Sequence, residues 1–235
     1  MDLFGEALMD YQEGAYTEDL ITYTTLEQED ILPLPHLFRS YAEMPFLEQQ
    51  ALQLCKGKIL DVGCGAGSHS LFLQENGHDV TAIDTSAGAV TTCRARGIKK
   101  VLHQAIQDYS GTKFDTILLL MNGIGIAQRI SLLGPFLEHM KTLLNPGGQI
   151  LTDSTDILYV FEEEDGGYRI PANQDYYGEV TFTVAYKGRK DEPFPWFYID
   201  FSLLKDIAEN HGFNCDLVCS GDHFDYLARL SIKTY

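Results

Sequence analysis

Positive charge is scarce in this sequence of 235 residues. It holds 17 Lys and Arg residues against 34 Asp and Glu residues, a formal net charge of −17, and neither Lys nor Arg occurs before Arg39. Such an excess of negative charge repels phosphate backbones and anionic lipid headgroups. We therefore expect no nucleic acid and no membrane surface as a partner, and a small molecule as the ligand or substrate.

Long apolar runs and paired cysteines are also missing. The longest apolar run, Ile117 to Met121, is far short of the roughly 20 residues that a membrane-spanning helix needs. The first residues carry acidic rather than basic side chains, with no apolar stretch behind them, unlike a secretory signal peptide. The five cysteines are an odd number without a Cys-x-x-Cys pair, so neither a disulfide framework nor a zinc site is indicated. We expect reduced thiols and a cytoplasmic location.

Three common catalytic motifs do not occur in the chain. They are the His-Glu-x-x-His of metalloproteases, the Gly-x-Ser-x-Gly of serine hydrolases and the Walker loop. What the sequence does have is an apolar fraction of 45%, enough to build a core. Its length fits one good-sized domain with a small appendage.

The first part of the chain differs from the rest. Nine of its first 30 residues are acidic, and Pro33, Pro35 and Pro45 follow. Apolar residues then recur at near-helical spacing up to Gly57. We interpret residues 1–54 as an N-terminal helical cap and residues 55–235 as the main domain.

From residue 58 onward, strand and helix patterns alternate. Strands are predicted at 58–62, 79–83, 101–105, 114–121 and 149–152, with helices between them at 68–76, 86–96 and about 135–144. Strands separated by helices of this length form parallel βαβ units. The alternation ends after residue 152, where residues 156–200 contain two strand patterns separated by a turn. We predict a β-hairpin insertion there, followed by a helix and two closing antiparallel strands.

A glycine-rich loop directly follows the first of these strands and precedes a helix. Gly63, Gly65 and Gly67 let the backbone pass close beneath a ligand, and the helix start offers free N–H groups. The spacing Gly-x-Gly-x-Gly differs from the Gly-x-Gly-x-x-Gly of dinucleotide binders. Asp61 also puts negative charge where a pyrophosphate would lie. A cationic ligand tolerates this loop better.

Other polar residues follow the ends of the next strands. Asp84 ends the second strand, 21 residues after Gly63, and a carboxylate there can accept hydrogen bonds from both hydroxyls of a ribose. Asp108 follows the third strand, and Asn122 and Gly123 follow the fourth. The carboxyl ends of strands are where open α/β sheets bind their ligands.

Four segments together resemble the signatures of class I S-adenosylmethionine-dependent methyltransferases. They are Asp61 to Gly67, Ala82 to Ser86, Gln107–Asp108 and Pro146 to Gly148, within a region of about residues 56–153. The resemblance implies an α/β, Rossmann-like fold with a seven-stranded, mostly parallel sheet and an antiparallel last strand. The helical cap and the hairpin insertion would be additions to this fold.

The resemblance also implies S-adenosyl-L-methionine as the cofactor. The glycines would cradle its methionine part, Asp84 would hold the ribose, Asp108 would meet the adenine amino group, and Asn122 would lie near the methionine amine and the acceptor. The implied cofactor-binding set is Asp61, Gly63, Gly65, Gly67, Asp84, Thr85, Ser86, Gln107, Asp108, Asn122 and Gly123.

The activity implied is methyl transfer by direct displacement to a small molecule or, as a second choice, to a protein side chain. A sulfonium methyl is already activated, so the protein mainly aligns donor and acceptor and excludes water; we assign no metal and no catalytic residue. One alternative is an NAD-dependent oxidoreductase, against which Asp61 and the glycine spacing argue. Another is a non-catalytic S-adenosylmethionine-binding protein, since no essential base is evident.

Several residues have two interpretations from sequence. Tyr176, Tyr177 and Trp196 belong to an aromatic-rich segment that either packs as a hairpin on the sheet or covers the acceptor as a lid. His69 is either a general base or an exposed residue of the first helical turn. Arg39 either contacts the cofactor carboxylate or forms a salt bridge at the rim.

Overall fold

A computed structural model describes residues 1–26, 29–170 and 174–233. Its helices are α1 (Leu3–Gln12), α2 (Leu34–Leu37), α3 (Phe46–Leu54), α4 (Ser68–Glu75), α5 (Ala87–Ala95), α6 (Ile130–Thr142) and α7 (Phe201–Asn210). Its strands are β1 (Leu20–Thr24), β2 (Glu29–Leu32), β3 (Lys58–Val62), β4 (Asp79–Asp84), β5 (Val101–His103), β6 (Phe114–Leu119), β7 (Leu144–Thr155), β8 (Glu179–Tyr186), β9 (Arg189–Lys190), β10 (Phe194–Phe197), β11 (Phe213–Ser220) and β12 (Asp225–Ile232). In this described part of the chain, no helix has the length and apolarity needed to cross a bilayer.

The larger sheet has seven strands in the order β11-β12-β7-β6-β3-β4-β5. Strands β3 to β7 pair in parallel, whereas β12 runs antiparallel to both β7 and β11. The predicted α/β fold, with a mostly parallel seven-stranded sheet and an antiparallel last strand, is confirmed. The short link between β11 and β12 accounts for the reversal, because a parallel connection needs a longer crossover.

Strand β6 lies at the centre of the core. Its side chains alternate between two apolar clusters, Ile117 and Leu119 on one face and Leu118 on the other. Helices α6 and α7 cover the first face, and α3 covers the second. Burial on both faces is the reason why this strand is a nearly unbroken apolar run.

A second, antiparallel sheet has the order β10-β8-β1-β2, and β9 pairs with β8. In it Ile21 lies opposite Ala185, and Phe182 lies opposite Phe194. Residues 1–54 therefore do not form a purely helical cap as predicted from sequence: β1 and β2 belong to them and join the hairpin insertion in one sheet. The physical reason is that β-branched and aromatic residues favour a strand at 20–24, while the pairing partner lies far along the chain.

Helix α1 packs between this second sheet and α5. Leu3, Ala7 and Leu8 are fully buried, in one cluster with Ala89 and Val184. This arrangement places the start of α1 beside the carboxyl ends of β3 and β4, where the candidate site lies.

Candidate functional site

A cavity of about 810 Å³ lies between the two sheets. Its floor is formed where β3, β4 and β6 end, at Gly63, Asp84 and Met121, and its upper wall includes Thr22 and Trp196 from the second sheet. The volume falls in the upper part of the range of about 300–1,000 Å³ that is usual for small-molecule sites. The cavity is therefore at the edge of the sheet where the sequence predicts ligand binding.

The glycine loop presents backbone to this cavity. Gly63 and Gly65 line it, with φ of 71° and 54°. A Cβ atom at Gly65 would approach Phe4 no closer than 3.7 Å, and one at Gly63 would lie 3.3 Å from Ile126. A side chain at either position would project into space that a ligand can use, so glycine keeps the backbone accessible.

Gly67 has a different role from the other two glycines. It is the N-cap residue of α4, with φ of 82°, and does not line the cavity. A Cβ atom there would collide with the Ile98 side chain and lie 2.8 Å from the Cys93 sulfur. Gly67 therefore fixes the packing of the loop against α5 and the segment after it.

We expect Gly67→Ala to lower the free energy of unfolding by about 2 kcal/mol. This is the sum of two costs: that of holding alanine in a left-handed backbone conformation and that of overpacking. Gly97→Ala is the matched control, because Gly97 has φ of 90° but open space around the added methyl group. The control should lower the free energy of unfolding by about 1 kcal/mol, the cost of the left-handed backbone conformation alone. Chemical denaturation of both variants measures the difference; equal losses would show that the collision is relieved without cost.

Asp84 ties the glycine loop to the end of β4. Its Oδ2 accepts a hydrogen bond from the Gly65 N–H at 2.9 Å, and its Oδ1 accepts one from the Ser86 N–H at 2.8 Å. Both oxygens keep capacity for a further donor, since a carboxylate offers about four lone-pair sites. Asp84 also lines the cavity. This carboxylate therefore holds the loop in place and remains available to a ligand in the cavity.

Asp61 adds a second acidic group to the floor. It is 2% exposed, lines the cavity and accepts a hydrogen bond from the Ser70 hydroxyl at 2.6 Å. Burial raises the pKa of both Asp61 and Asp84 above the usual aspartate range. Positive charge in the cavity would relieve this burial cost, because an opposite charge favours the ionised form.

Arg39, Glu48 and His69 form a buried cluster beside the floor. They are 6%, 5% and 8% exposed. The Arg39 guanidinium donates to both Glu48 oxygens, and the His69 imidazole lies 2.7 Å from Glu48 Oε2. Arg39 and His69 line the cavity, and Arg39 Nε has no hydrogen-bond partner within the described residues. The structure thus places neither residue at an exposed rim, and it adds Glu48, which the sequence analysis did not single out.

The turn after β6 has an uncommon backbone. Met121 and Asn122 have φ of 62° and 55°, a conformation that non-glycine residues seldom adopt. Asp153 holds this turn, since its Oδ2 accepts a hydrogen bond from the Met121 N–H at 3.1 Å. Burial raises the pKa of Asp153 to about 7. Such strain is typical of ligand-binding turns, and Met121 and Gly123 line the cavity.

The predicted site residues divide into two groups. Those that line the cavity are Asp61, Gly63, Gly65, Asp84, Thr85, Ser86, Gln107, Gly123 and Trp196. Those that lie outside its lining are Gly67, Asp108, Asn122, Tyr176 and Tyr177. The Asn122 side chain instead accepts a hydrogen bond from Thr155. The two tyrosine hydroxyls donate to Asp200 and Asp156, which holds their rings away from the cavity.

Helix α1 and strands β1 and β2 also contribute to the site, which their sequence patterns did not predict. Phe4 and Thr22 line the cavity, and the Asp2 carboxylate accepts hydrogen bonds from the Ser86 hydroxyl and the Gly88 N–H at 2.9 Å each. The β-branched residues of β1 do predict a strand, but nothing in its sequence indicates that this strand lines a cavity.

Comparison with known proteins agrees with this geometry. A family model described as a methyltransferase domain matches residues 59–148. The crystal structure of an S-adenosylmethionine-dependent methyltransferase from Bacteroides fragilis, in complex with S-adenosyl-L-homocysteine, is 42% identical with a TM-score of 0.92. The alignment covers 99% of this chain and 95% of that one.

Similarity to curated proteins is more limited. The cypemycin N-terminal methyltransferase of a Streptomyces species is 28% identical over 56% of this chain and 56% of its own length. The ubiquinone biosynthesis O-methyltransferase of Pasteurella multocida is 29% identical over 52% and 55%. The chain thus spans about half the length of these relatives, whose names describe different methyltransferase activities.

Proposed function

Because this chain belongs to the class I S-adenosylmethionine-dependent methyltransferases, we propose that it transfers a methyl group from S-adenosylmethionine to a small-molecule acceptor. The observation that supports this most directly is the continuous cavity. Its floor carries the glycine loop and Asp84, and its upper wall carries Trp196. The cavity therefore joins two regions: the floor, which we call the cofactor side, and the space beneath the upper wall, which we call the acceptor side.

The lining suits each part of the cofactor. Asp84 has free acceptor capacity for ribose hydroxyls, and the bare backbone at Gly63 and Gly65 allows close approach of the methionine part. Arg39 Nε, buried and without a partner in the described residues, would donate to the methionine carboxylate. The acidic floor at Asp61 suits a ligand with a sulfonium charge. The residues present therefore fit S-adenosylmethionine.

The sulfonium of this cofactor supplies an electrophilic methyl group. The residues of the chain have to hold the acceptor in line with it and exclude water. We assign the exclusion of water to a group of aromatic side chains that we call the aromatic roof. It consists of Phe182, Phe194, Trp196 and Tyr198. The indole of Trp196 packs so closely on Gly125, in the turn after β6, that a side chain there would collide with it. Trp196 thereby closes the cavity over the end of β6.

We expect Trp196→Ala to leave cofactor affinity unchanged and to reduce kcat/KM by about tenfold to a hundredfold, because the acceptor loses its upper wall and water enters. Trp196→Phe is the control, since it keeps an aromatic ring and should retain most of the activity. Isothermal titration calorimetry and a coupled assay for S-adenosylhomocysteine measure the two effects. Weaker cofactor binding with unchanged turnover would place Trp196 on the cofactor side instead.

The direct test of the proposed function is cofactor binding followed by turnover. We expect calorimetry to show binding of S-adenosylmethionine and S-adenosylhomocysteine but not of NAD, and labelled methyl groups to appear in a product when a metabolite extract is added. Micromolar NAD binding without S-adenosylmethionine binding would favour the oxidoreductase. Cofactor binding with no labelled product across broad extracts would favour a non-catalytic binding protein.

We also propose a cytoplasmic location without nucleic-acid or membrane partners. The net charge of −17 opposes binding to polyanions. All five cysteines are free thiols, four of them buried, which suits a reducing compartment.

A further inference from the structure

We propose that the acceptor is a small amine, cationic in free solution, that binds beneath the aromatic roof. This inference rests on the proposed methyl transfer and assigns the substrate class. Three features of the cavity support it: its charges, its aromatic wall and the weak basicity of the groups on the acceptor side.

The charges that line the cavity are mostly negative. The acidic side chains are Asp2, Asp30, Asp61, Asp84, Asp191 and Glu192, and the basic ones are Arg39 and His69. Both basic side chains contact Glu48. Arg39 Nε is assigned to the cofactor carboxylate, and the Met1 ammonium, which also lines the cavity, lies 3.7 Å from Asp191 Oδ1. Within the described lining, then, no positive charge remains to neutralise a carboxylate or phosphate on the acceptor. An anionic acceptor would be repelled, whereas a cationic one would be attracted.

The acidic groups on the acceptor side stand apart from the cofactor side. Asp61 and Asp84 lie on the floor, but Asp30 and Glu192 are exposed side chains at the edge of the second sheet. Neither of these two makes an ion pair within the residues that the structure describes. Their charges are therefore free to act on a ligand that enters under the roof.

The roof supplies aromatic faces next to these carboxylates. The Trp196 ring lies 6.2 Å from Phe194 and 6.5 Å from Phe182, at interplanar angles of 85° and 80°. Such edge-to-face packing leaves ring faces of differing direction along the wall. An ammonium group is attracted to the face of an aromatic ring, most strongly to Trp. Aromatic faces bordered by carboxylates are the chemistry that recognises an amine.

The bases on the acceptor side suit an amine better than an alcohol. They are the Asp30 and Glu192 carboxylates, which are too weakly basic to ionise an alcohol. Burial, together with neighbouring charges that include Asp153 and Asp30, raises the pKa of Tyr198 to about 12, so its hydroxyl keeps its proton at neutral pH. The His69 imidazole, whose Nε2 is bound by Glu48, lies on the floor at the cofactor side and not beneath the roof. An alcohol must lose its proton to become a good nucleophile, whereas an amine that has lost its ammonium proton to water carries a free lone pair.

The chemical step balances without further groups. The amine nitrogen uses its lone pair to bond to the methyl carbon as the carbon–sulfur bond breaks, and that bonding pair stays on sulfur. The methylated ammonium product then releases a proton to water. Before the transfer, the bound ammonium gives its proton to Asp30 or Glu192, whose exposed carboxylates pass it to bulk water. After the transfer, the same carboxylates lie near the methylated ammonium product.

The sequence contains one tryptophan, Trp196, so intrinsic fluorescence reports directly on the proposed acceptor site. The protein is first saturated with S-adenosylhomocysteine, with saturation verified by calorimetry. It is then titrated with 2-phenylethylamine, 2-phenylethanol and phenylacetate, which share one aromatic body and differ in their polar group. We expect the amine to change the emission at a concentration about tenfold lower than the alcohol, and phenylacetate to bind most weakly.

A double variant and a control test whether the preference for the amine arises from the Asp30 and Glu192 carboxylates. In the double variant Asp30→Asn with Glu192→Gln, we expect the advantage of the amine over the alcohol to fall below about threefold, with binding of the alcohol unchanged. Asp222→Asn is the matched control, because Asp222 is an exposed acid that does not line this cavity. It should keep the full preference.

Turnover provides a second measurement. A panel of alkyl, arylalkyl and sugar amines, with the corresponding alcohols, is incubated with S-adenosylmethionine, and the products are identified by mass spectrometry. Methylated amines without methylated alcohols support the proposal. Methylation of alcohols in preference to amines overturns it, and so does an S-adenosylhomocysteine-bound protein that responds to no amine up to about 10 mM, the weak end of specific binding. Failure to bind S-adenosylhomocysteine would instead overturn the proposed function.

Discussion

Glu48→Gln is expected to lower the free energy of unfolding by about 3–5 kcal/mol, the largest effect among the substitutions considered. Glu48 is the common partner of the Arg39 guanidinium and the His69 imidazole, and the three side chains are almost completely buried. Removing the carboxylate leaves the guanidinium charge in a site of low polarity without its counter-charge. Urea denaturation at neutral pH measures the loss.

A double variant separates the charge effect from simple loss of packing. Arg39→Met combined with Glu48→Met removes both charges and keeps side chains of similar length, so we expect it to recover at least half of the loss. Equal destabilisation by the single and double variants would show that the ion pair itself contributes little and that shape dominates.

The same interaction predicts a dependence on pH. Burial by itself raises the pKa of Glu48, but the hydrogen bond and charge of His69, followed by those of Arg39, outweigh it, and the pKa lies below the ordinary value of 4.5. The stabilisation is therefore fully present above that value and is lost as the pH falls through the lowered pKa. The difference in stability between the wild type and Glu48→Gln should accordingly shrink as the pH is lowered below about 4.

Asp84→Ala is expected to weaken S-adenosylmethionine binding by about 2–3 kcal/mol, or roughly 30- to 150-fold. Two losses contribute: the hydrogen bonds from the ribose, and the anchor that the carboxylate provides for the Gly65 and Ser86 N–H groups. Isothermal titration calorimetry measures the affinity.

Two further variants make this result specific. Asp79→Ala removes an acid from the opposite end of β4, where Asp79 pairs with Lys100 on the surface, and it should leave the affinity unchanged. Asp84→Asn keeps one carbonyl acceptor and should show an intermediate loss. An unchanged dissociation constant for Asp84→Ala would mean that the ribose lies elsewhere.

The central sheet was predictable because each of its signals is local. The apolar run from residue 114 identifies β6 by itself, and the glycine loop requires a strand before it and a helix after it within a few residues. The positions of Asp61 and Asp84 relative to the sheet follow from the same pattern. Periodicity and loop chemistry therefore fix the floor of the site.

The upper wall and the buried cluster were not predictable in the same way. Strand β1 is short, and it forms part of the upper wall only because it pairs with β8. No local sequence pattern predicts that pairing. Glu48 lies in a helix that also contains Leu47 and Ala51, so its pattern indicates only that the helix packs on the core. Its role depends on His69 and Arg39, which approach from two other segments. Tertiary contacts of this kind are decided by packing between elements distant in sequence.

The pairing of β1 with β8 has a consequence for biosynthesis. Residues 58–123, which build the floor, form contiguous βαβ units whose contacts are close in sequence, and such regions assemble early. The upper wall closes a loop of about 160 residues, from Ile21 to Ala185, and has to wait until β8 leaves the ribosome. In a nascent chain the glycine-loop half of the cavity can therefore form first, and the wall built on β1 and β8 follows only after Tyr186 has emerged.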